Sequence, residues 1–365
     1  MLMRTSQKDT SLPENKLPAE LGYRMPAEWS RHEATWLAWP HNAETWPGKR
    51  LALIRDTYLQ MLEGLLPGEK VHLLVHDSSE KDEVLKFLRS KLDLTNLVFH
   101  EIPVADVWIR DYGPTFIKKQ TKDQRLKTED RAYVKWIFNA WGGKYPLLVK
   151  DTDIFSPHSN PLLSNPCFEA NLILEGGSIE VNGEGTVLTT QQCLLNANRN
   201  PHFTKPQIED LLKGFLGATH VLWLQEGIAG DDTDGHIDDI ARFVDSRTIL
   251  AAYEDDKSDE NFEVLEDNWE RLKTFELQDG KKPNVVKLPM PGIVAENGER
   301  LPASYANFLI ANKAVLLPVY GHRNDKCAIE ILRELFPKHE ILPIRCNGLV
   351  YGLGAIHCVT QQEPA

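Results

Sequence analysis

The chain has 365 residues, with 41 Lys and Arg against 53 Asp and Glu, so its formal charge at pH 7 is −12. At 42% hydrophobic and 26% charged, its composition is typical of a globular protein and excludes collagenous, disordered and membrane-embedded chains. The acidic balance argues against a nucleic-acid partner and favours a small cationic ligand.

The beginning of the chain and its cysteines bear on domain organisation and location. Residues 1–26 contain no apolar run long enough for a secretory signal or a membrane span. We expect residues 1–22 to be a flexible tail and residues 23–365 to be a single catalytic domain, because no linker-like segment divides the chain. The cysteines are Cys167, Cys193, Cys327, Cys346 and Cys358. Their odd number and scattered positions do not match a disulfide framework or a paired zinc motif, so a reducing cytoplasm is the predicted location.

Six short apolar runs spaced along the chain predict β-strands. In chain order they are Thr35–Trp39, Val71–Val75, Thr186–Thr190, Thr248–Ala252, Val315–Val319 and Ile341–Ile344. Apolar residues at helical spacing predict helices near residues 50–66, 79–91, 204–216, 259–274 and 325–336. Strands and helices alternate, which indicates the α/β class.

The helix near residues 204–216 has the clearest signals. Thr204 and Gln207 have the spacing of a capping box, and Gly217 follows the last apolar residue as a stop signal. A repeat of about seventy residues would fit the spacing of the elements, but internal similarity is weak. Periodicity alone therefore leaves a doubly wound sheet as an alternative to a repeated architecture.

Common catalytic motifs are absent from the sequence. It contains no phosphate loop, no HExxH, no GxSxG and no GxGxxG that opens a helix. The acidic loop 230–236 resembles a calcium loop, but aligning Gly235 with the turn glycine puts Gly230 and Ala241 where the first and last ligand carboxylates belong. The absence of these motifs excludes the common nucleotide-binding, zinc-protease, α/β-hydrolase and calcium-binding classes.

Four polar clusters remain, each bordered by glycine or by a strand-like run. They span residues 106–114, 174–178, 234–243 and 352–362. Together they contain one cysteine, a histidine and several carboxylates. A cysteine nucleophile with a histidine acid/base suits covalent catalysis at an electrophilic carbon, and carboxylates beside them favour a cationic substrate. We expect these side chains to converge from separate structural units on one pocket.

These clusters resemble those of the agmatine deiminase family, which includes bacterial peptidylarginine deiminases, within the guanidine-modifying superfamily. Seven blocks carry the resemblance: Met25–Trp29 with Trp36–Pro40, Trp108–Asp111, Asn139–Gly143, Leu174–Gly177, Gly235–Asp238, Ala303–Phe308 and Ile356–Gln362. The resemblance implies an α/β propeller of five strand-strand-helix-strand blades, the pentein fold, with pseudo-fivefold symmetry. It also implies an active site on the propeller axis.

The resemblance assigns roles position by position. It implies that Cys358 is the nucleophile and that His236 is the general acid/base. Asp111 and Asp238 would bind the guanidinium from two sides. Glu175 would hydrogen-bond His236 and raise its pKa, which would keep it available as an acid.

Further residues are candidates for substrate contact or support. The resemblance implies that Asn307 lines the pocket, and Asp234 is expected to face it. Trp108 is a candidate substrate contact, although it is also expected to pack between blades. His357 is expected on the opposite face of a strand from Cys358, as a structural hydrogen-bonder. The neighbouring loop carboxylates are expected to be solvated: Asp231, Asp232 and Asp239.

The implied reaction converts agmatine to N-carbamoylputrescine and ammonia through a covalent amidino intermediate on Cys358, with no metal or organic cofactor. Many family members carry Gly-Gly-Gly-Asn before Ile-His-Cys, where this chain has Gly352-Leu-Gly-Ala355. Arginine or a peptide C-terminal arginine therefore stays open as the substrate. A non-catalytic propeller that binds guanidino ligands, and a zinc site built from Cys, His and Asp, are alternatives of other classes. The expected partners are a small guanidino substrate and, as an option, a second copy of the chain.

Overall fold

The elements of secondary structure alternate along the chain in the computed structural model, which describes residues 16–119, 130–158 and 162–365. The strands are β1 (Tyr23–Arg24), β2 (His32–Ala38), β3 (Lys70–Val75), β4 (Leu97–Glu101), β5 (Thr115–Lys119), β6 (Arg131–Ile137), β7 (Cys167–Ile173), β8 (Glu180–Val181), β9 (Thr186–Thr190), β10 (His220–Leu224), β11 (Ala241–Phe243), β12 (Thr248–Tyr253), β13 (Asn284–Pro289), β14 (Ala295–Glu296), β15 (Glu299–Arg300), β16 (Leu309–Ile310), β17 (Ala314–Val319), β18 (Glu340–Arg345) and β19 (Gln361–Pro364). The helices are α1 (Arg50–Leu65), α2 (Ser78–Leu88), α3 (Ile109–Tyr112), α4 (Ala140–Gly143), α5 (Gln191–Leu194), α6 (Lys205–Leu216), α7 (Phe262–Thr274) and α8 (Asp325–Leu335). Short 3-10 turns lie at Pro18–Leu21, Pro146–Asp153, Gly176–Ser178, Ile237–Asp239 and Leu349–Gly352.

Five sheets in the described part of the chain share one pattern. Their strand orders are β19-β2-β3-β4, β1-β5-β6-β7, β8-β9-β10, β11-β12-β13 and β16-β17-β18. In each, a short strand runs antiparallel to the central strand, whose other neighbour is parallel to it. A parallel pair needs a crossover connection, and in four of these sheets a helix supplies it: α1, α6, α7 and α8. The strands β14 and β15 form a separate hairpin.

The four helices α1, α6, α7 and α8 each pack between their own sheet and the next one. Helix α1 contacts β17 and β18, α8 contacts β13, α7 contacts β10, and α6 contacts β1 and β7. The strands β19 and β5 join the remaining two sheets. Gly64 on α1 shows how close this packing is, because a Cβ there would lie 2.6 Å from Leu342 Cδ1 on β18. The sheets therefore form a closed series of neighbours, in which a helix or a strand contacts both members of each neighbouring pair.

The predicted elements are confirmed. The six predicted strands overlap β2, β3, β9, β12, β17 and β18, and the five predicted helices correspond to α1, α2, α6, α7 and α8. Thr204 and Gln207 form the expected capping box of α6, and Gly217 ends the helix at φ +66°. Strands and helices alternate as expected for the α/β class.

The first folded element lies inside the predicted tail. Residues Pro18–Leu21 form a 3-10 turn that packs against α6, so folded structure begins before the expected boundary at residue 22. Residues 1–15 of that tail lie outside the described residues. In the ranges that the structure describes, no helix is both long and apolar enough to cross a membrane.

Candidate active site

The segments that carry the predicted site residues occupy one equivalent place in the fold. In each of the five sheets, the segment directly before the short antiparallel strand carries such a residue. Asp111 precedes β5, Glu175 precedes β8, His236 and Asp238 precede β11, Asn307 precedes β16, and Cys358 precedes β19. The expectation that these side chains converge from separate units is met, as the distances below show.

A cavity of about 460 Å³ opens onto this cluster. Three predicted site residues line it: Cys358, Asp111 and Trp108. The other residues of the cluster, which are His236, Asp238, Glu175 and Asn307, are buried behind the lining. The outer walls carry Tyr145, Leu147, Tyr351 and Leu353, so the cavity has a polar floor and a largely apolar mouth.

Asp111 is held rigidly on the cavity floor. Gly177 N donates to Asp111 Oδ1 at 3.0 Å, and Trp141 Nε1 donates to Oδ2 at 2.9 Å. Trp141 reaches this position because residues 140–143 form a turn with positive φ throughout, at 54°, 53°, 81° and 79°. A left-handed backbone costs roughly 1–2 kcal/mol for each non-glycine residue, so the strain at Ala140 and Trp141 is a sign of a functional constraint.

Three polar atoms surround one small point beside Gly177. A Cβ on Gly177 would lie 2.6 Å from His236 Nδ1, 2.9 Å from Asp111 Oδ1 and 3.0 Å from Asp238 Oδ2. His236 Nδ1 itself lies 3.8 Å from Asp111 Oδ1. The absence of a side chain at Gly177 therefore leaves the acid/base candidate and two carboxylates facing a shared space.

Cys358 lies beside this space and is 7% exposed. Asn307 Nδ2 donates to Cys358 Sγ at 3.1 Å, and Sγ lies 3.9 Å from Asp238 Oδ2. Asn307 Oδ1 also accepts the backbone N–H of His357 at 2.9 Å. Asn307 thus fixes the turn that carries the thiol, in place of the predicted role on the pocket wall.

The predicted partnership of Glu175 with His236 is wrong. Glu175 Oε1 accepts instead from Arg199 Nε at 2.7 Å, in a pair that is fully buried. Among the described residues, His236 Nε2 has no hydrogen-bond partner. Burial lowers the pKa of His236 to about 4 in the unliganded site, although the charge of Asp238 opposes the shift. The rise predicted for the substrate-bound site stays a prediction.

Asp234 does not face the cavity as predicted. Its carboxylate accepts from Arg199 Nη1 at 2.7 Å, from Lys144 Nζ at 2.8 Å and from Asn198 Nδ2 at 2.9 Å. Arg199 therefore joins Asp234 to Glu175 behind the site. No motif in the sequence singled out Arg199, because the surrounding Asn196–Asn200 segment matches no catalytic pattern.

The loop carboxylates are less exposed than expected. Asp239 was expected to be solvated, but it is 4% exposed and its Oδ1 accepts from Asn307 Nδ2 at 3.0 Å. Asp231 is partly exposed, and its Oδ2 accepts the backbone N–H groups of Gly235 and His236, both at 3.0 Å. These carboxylates order the loop because it turns back on itself and would otherwise bury unpaired N–H groups.

The pKa values of Asp111 and Cys358 are both raised in the unliganded site, which indicates that a positive charge there would stabilise their ionised forms. Burial, followed by the charges of Asp238 and Glu175, raises the pKa of Asp111 well above its usual value. Burial also raises the pKa of Cys358, and the charges of Asp238, Asp239 and Asp111 raise it further. A bound cation would reverse these effects, because it favours both carboxylate and thiolate.

We expect Cys358 to react slowly with iodoacetamide in the unliganded protein. Because its pKa is raised, the thiolate fraction at pH 7 is smaller than for an ordinary thiol, and alkylation should keep accelerating above pH 9. Mass-mapped labelling would measure this, with the exposed Cys327 as the internal reference. A labelling rate of Cys358 that levels off below pH 8 would contradict the expectation.

Among the described residues, two groups of three side chains could hold a metal ion by composition alone. They are Glu175, Cys193 and His236, and Asp238, Asp239 and Cys358, with the donor atoms of each group within 4.8 Å of one another. The first group has Arg199 bound to its carboxylate, and the second includes a carboxylate bound to His357. Both groups overlap the nucleophile and acid/base candidates, so a metal bound there would occupy the same atoms.

The fold brings a buried cysteine and a buried histidine together beside two carboxylates, which are the residue types that hydrolases of cationic substrates use in covalent catalysis. The family profile of the Porphyromonas-type peptidyl-arginine deiminases matches residues 24–364. The chain belongs to this family, whose members are hydrolases that act on guanidino C–N bonds.

Related proteins and solved structures align with this chain over almost its whole length. A protein of Legionella pneumophila (strain Paris) that carries a provisional agmatine deiminase name is 38% identical over 96% of this chain and 98% of its own. The solved agmatine deiminase of Enterococcus faecalis is 30% identical, with a TM-score of 0.86 over 96% of this chain and 98% of that one. A Cys-to-Ser variant of C. jejuni agmatine deiminase, solved with substrate bound, is 31% identical, with a TM-score of 0.81 over 94% and 96% of the two chains.

Proposed function

We propose that this protein hydrolyses agmatine to N-carbamoylputrescine and ammonia. One observation carries the proposal: a buried thiol lies beside Asp111 and Asp238, and among the described residues Asp111 has no Lys or Arg partner. In the described structure, Asp238 Oδ1 is buried and has no hydrogen-bond partner. A guanidinium supplies planar N–H donors and a positive charge, which are the two things that this site lacks.

In the first half of the reaction, the guanidinium binds between the two carboxylates and its charge favours ionisation of Cys358. The thiol proton passes to the neutral His236, and Sγ forms a bond to the guanidinium carbon. His236 then donates that proton to a terminal nitrogen as its C–N bond breaks. Ammonia leaves, and an amidino group stays bound to Cys358 as an S-alkylthiouronium cation.

In the second half, water replaces the departed ammonia. His236 takes a proton from the water as its oxygen attacks the amidino carbon. The C–S bond breaks and the thiolate leaves as the remaining O–H proton is lost to solvent, where it protonates the released ammonia, so that a neutral ureido group forms. The proton on His236 returns to Cys358. The net reaction adds one water to agmatine and releases one ammonia, so no electron acceptor is required.

The substrate choice follows from the charges around the cavity. Acidic residues on the cavity lining outnumber cations, with Glu44, Asp106, Asp111 and Asp232 against Lys144. The polar clusters of the sequence contain two cations, Arg110 and Arg242. Both contact the buried Glu28 and not the cavity. An α-carboxylate would therefore enter a negative cavity, whereas the amine of agmatine suits it.

We expect agmatine to exceed free arginine by at least about tenfold in kcat/KM, since one poorly compensated charge costs more than about 1.4 kcal/mol. Ammonia release from agmatine, arginine and a peptide ending in arginine would measure the preference. Equal or faster turnover of either carboxylate-bearing substrate would overturn the choice of agmatine.

Lys144 favours deimination of an arginine-type substrate as the second candidate function. It lines the cavity, where its ammonium could receive a carboxylate. Its Nζ, however, already lies 2.8 Å from Asp234 Oδ1 and donates to the backbone carbonyl of Asp232. A Lys144→Met variant separates the two functions, because it should lower arginine turnover selectively only if Lys144 binds the carboxylate.

We further propose that the five sheets are the blades of a propeller with the site on its axis. The closed series of sheet contacts supports this arrangement, as does the equivalent placement of the site segments before each short antiparallel strand. The cysteines of the described residues are all free thiols, which supports activity in a reducing cytoplasm.

A further inference from the structure

His357, the residue before the candidate nucleophile, lies between two buried carboxylates. Its Nδ1 is 2.7 Å from Asp238 Oδ2, and its Nε2 is 2.8 Å from Glu28 Oε2. All three side chains are at most 4% exposed. The ring therefore joins the site to a carboxylate on the opposite side, away from the cavity.

Both ring nitrogens of His357 face carboxylate oxygens. An ionised carboxylate can accept a hydrogen bond but has no proton to donate. Burial alone would raise the pKa of Glu28, but Arg242 and His357 hold it well below its usual value. Burial likewise opposes ionisation of Asp238, but the hydrogen bond and charge of His357, together with the charges of His236 and Arg242, lower its pKa. Since a neutral imidazole has one N–H and one lone pair, only the imidazolium form donates to both carboxylates.

This arrangement leaves the two oxygens of Asp238 in different states. Oδ2 accepts from His357, whereas Oδ1 is buried without a hydrogen-bond partner in the part of the chain that the structure describes. The ring cannot swing away easily, because Glu28 is itself fixed by Arg242 Nη2 at 2.9 Å and by the backbone N–H of Ile310 at 2.7 Å. The carboxylate plane of Asp238 is therefore set by a partner anchored in the core.

We propose that His357 is a positioning residue that fixes the carboxylate of Asp238 by a charge-assisted bond to Oδ2, so that this carboxylate is held beside Cys358 Sγ to bind the substrate guanidinium. The inference rests on the proposed function, since it assigns Asp238 to a guanidino substrate. His357 does not act on the reacting atoms. Its effect on turnover passes through Asp238, and this distinguishes it from a residue that only stabilises the fold.

A double-mutant cycle tests this dependence. His357→Phe in the otherwise native protein should lower kcat/KM by roughly tenfold to a hundredfold, the value of a hydrogen bond to a charged group. KM should rise more than kcat falls, because Asp238 holds the cation in both the ground and the transition state. In an Asp238→Asn background the same change should alter kcat/KM by less than about threefold. Equal losses in the two backgrounds would overturn the proposal.

Two controls separate positioning from folding. His357→Gln retains an N–H that can donate to Asp238, so it should recover at least part of the activity lost in His357→Phe, and it replaces that variant in the cycle if His357→Phe does not fold. Glu180→Gln removes another buried carboxylate that binds Arg242 Nε at 3.0 Å without contacting the His357 ring. It should lower the melting temperature without the rise in KM. A rise in KM of the same size in Glu180→Gln would overturn the proposal, whereas an inactive wild-type protein would count against the proposed function instead.

Discussion

Cys358→Ala is expected to abolish turnover while substrate binding survives. The nucleophile disappears, and kcat should fall by at least about 10⁴-fold, as for the loss of a nucleophile in other covalent hydrolases. The carboxylates that bind the cation do not depend on the thiol, because Asp111 is held by Trp141 and Asp238 by His357. Ammonia release would measure turnover, and calorimetry with agmatine would measure binding to the variant.

The covalent intermediate gives a second readout for the same residue. Quenching wild-type protein during turnover of a slow guanidino substrate should give a mass increase on the peptide that contains Cys358. Cys346→Ala is the matched control, because Cys346 is a buried thiol that does not line the cavity, and this variant should stay active. Turnover by Cys358→Ala, or an adduct on another cysteine, would refute the mechanism.

The chemical types at the site could be read from the sequence because they follow from local patterns. Cys358, His236 and the two aspartates each follow a strand-like run or a glycine, and segments at equivalent strand ends converge in repeated architectures. Helices such as α6 were predictable for the same reason, since a capping box and a stop glycine are encoded within a few residues. The closed series of sheets was not predictable from periodicity, because the contacts between neighbouring sheets join residues far apart in sequence.

The protonation states could not be predicted, because they depend on burial and on partners distant in sequence. Glu175 was expected to raise the pKa of His236, but Arg199 takes that carboxylate and burial lowers the pKa of the histidine. The strained turn at Trp141 was missed for a similar reason. Only the pair of glycines after it hinted at positive φ, and its contact with Asp111 is tertiary.

The position of His357 shows where a secondary-structure assumption failed. Its structural hydrogen-bonding role is confirmed by the bonds to Asp238 and Glu28. It was expected, however, on a strand with its side chain on the opposite face from Cys358. The structure has a turn there, and β19 begins only at Gln361. A turn allows both neighbouring side chains to approach Asp238, with Cys358 Sγ at 3.9 Å and His357 Nδ1 at 2.7 Å.

Asp111→Asn and Asp238→Asn should each lower kcat/KM by at least about 10²-fold, because removing one partner of a buried ion pair costs about 3–5 kcal/mol. Asp238→Asn also removes one of the two carboxylates that bind the His357 ring, the other being Glu28. Asp111→Asn keeps one oxygen, which can accept from Trp141 Nε1 or from Gly177 N but not from both, because these donors bind different oxygens of Asp111. Its loss therefore includes the charge that faces the substrate and one buried hydrogen bond.

Glu69→Gln is the control for losing any buried carboxylate. Glu69 is 5% exposed and pairs with His32 Nδ1 at 3.1 Å, and neither residue lines the cavity. This variant should lower the melting temperature without changing kcat/KM for agmatine, because its ion pair supports the fold and not the substrate. Steady-state kinetics on the three variants decides the assignment. If Asp111→Asn or Asp238→Asn kept a kcat/KM close to that of the wild type, that aspartate would not bind the guanidinium, and the charge argument for a cationic substrate would lose its main support.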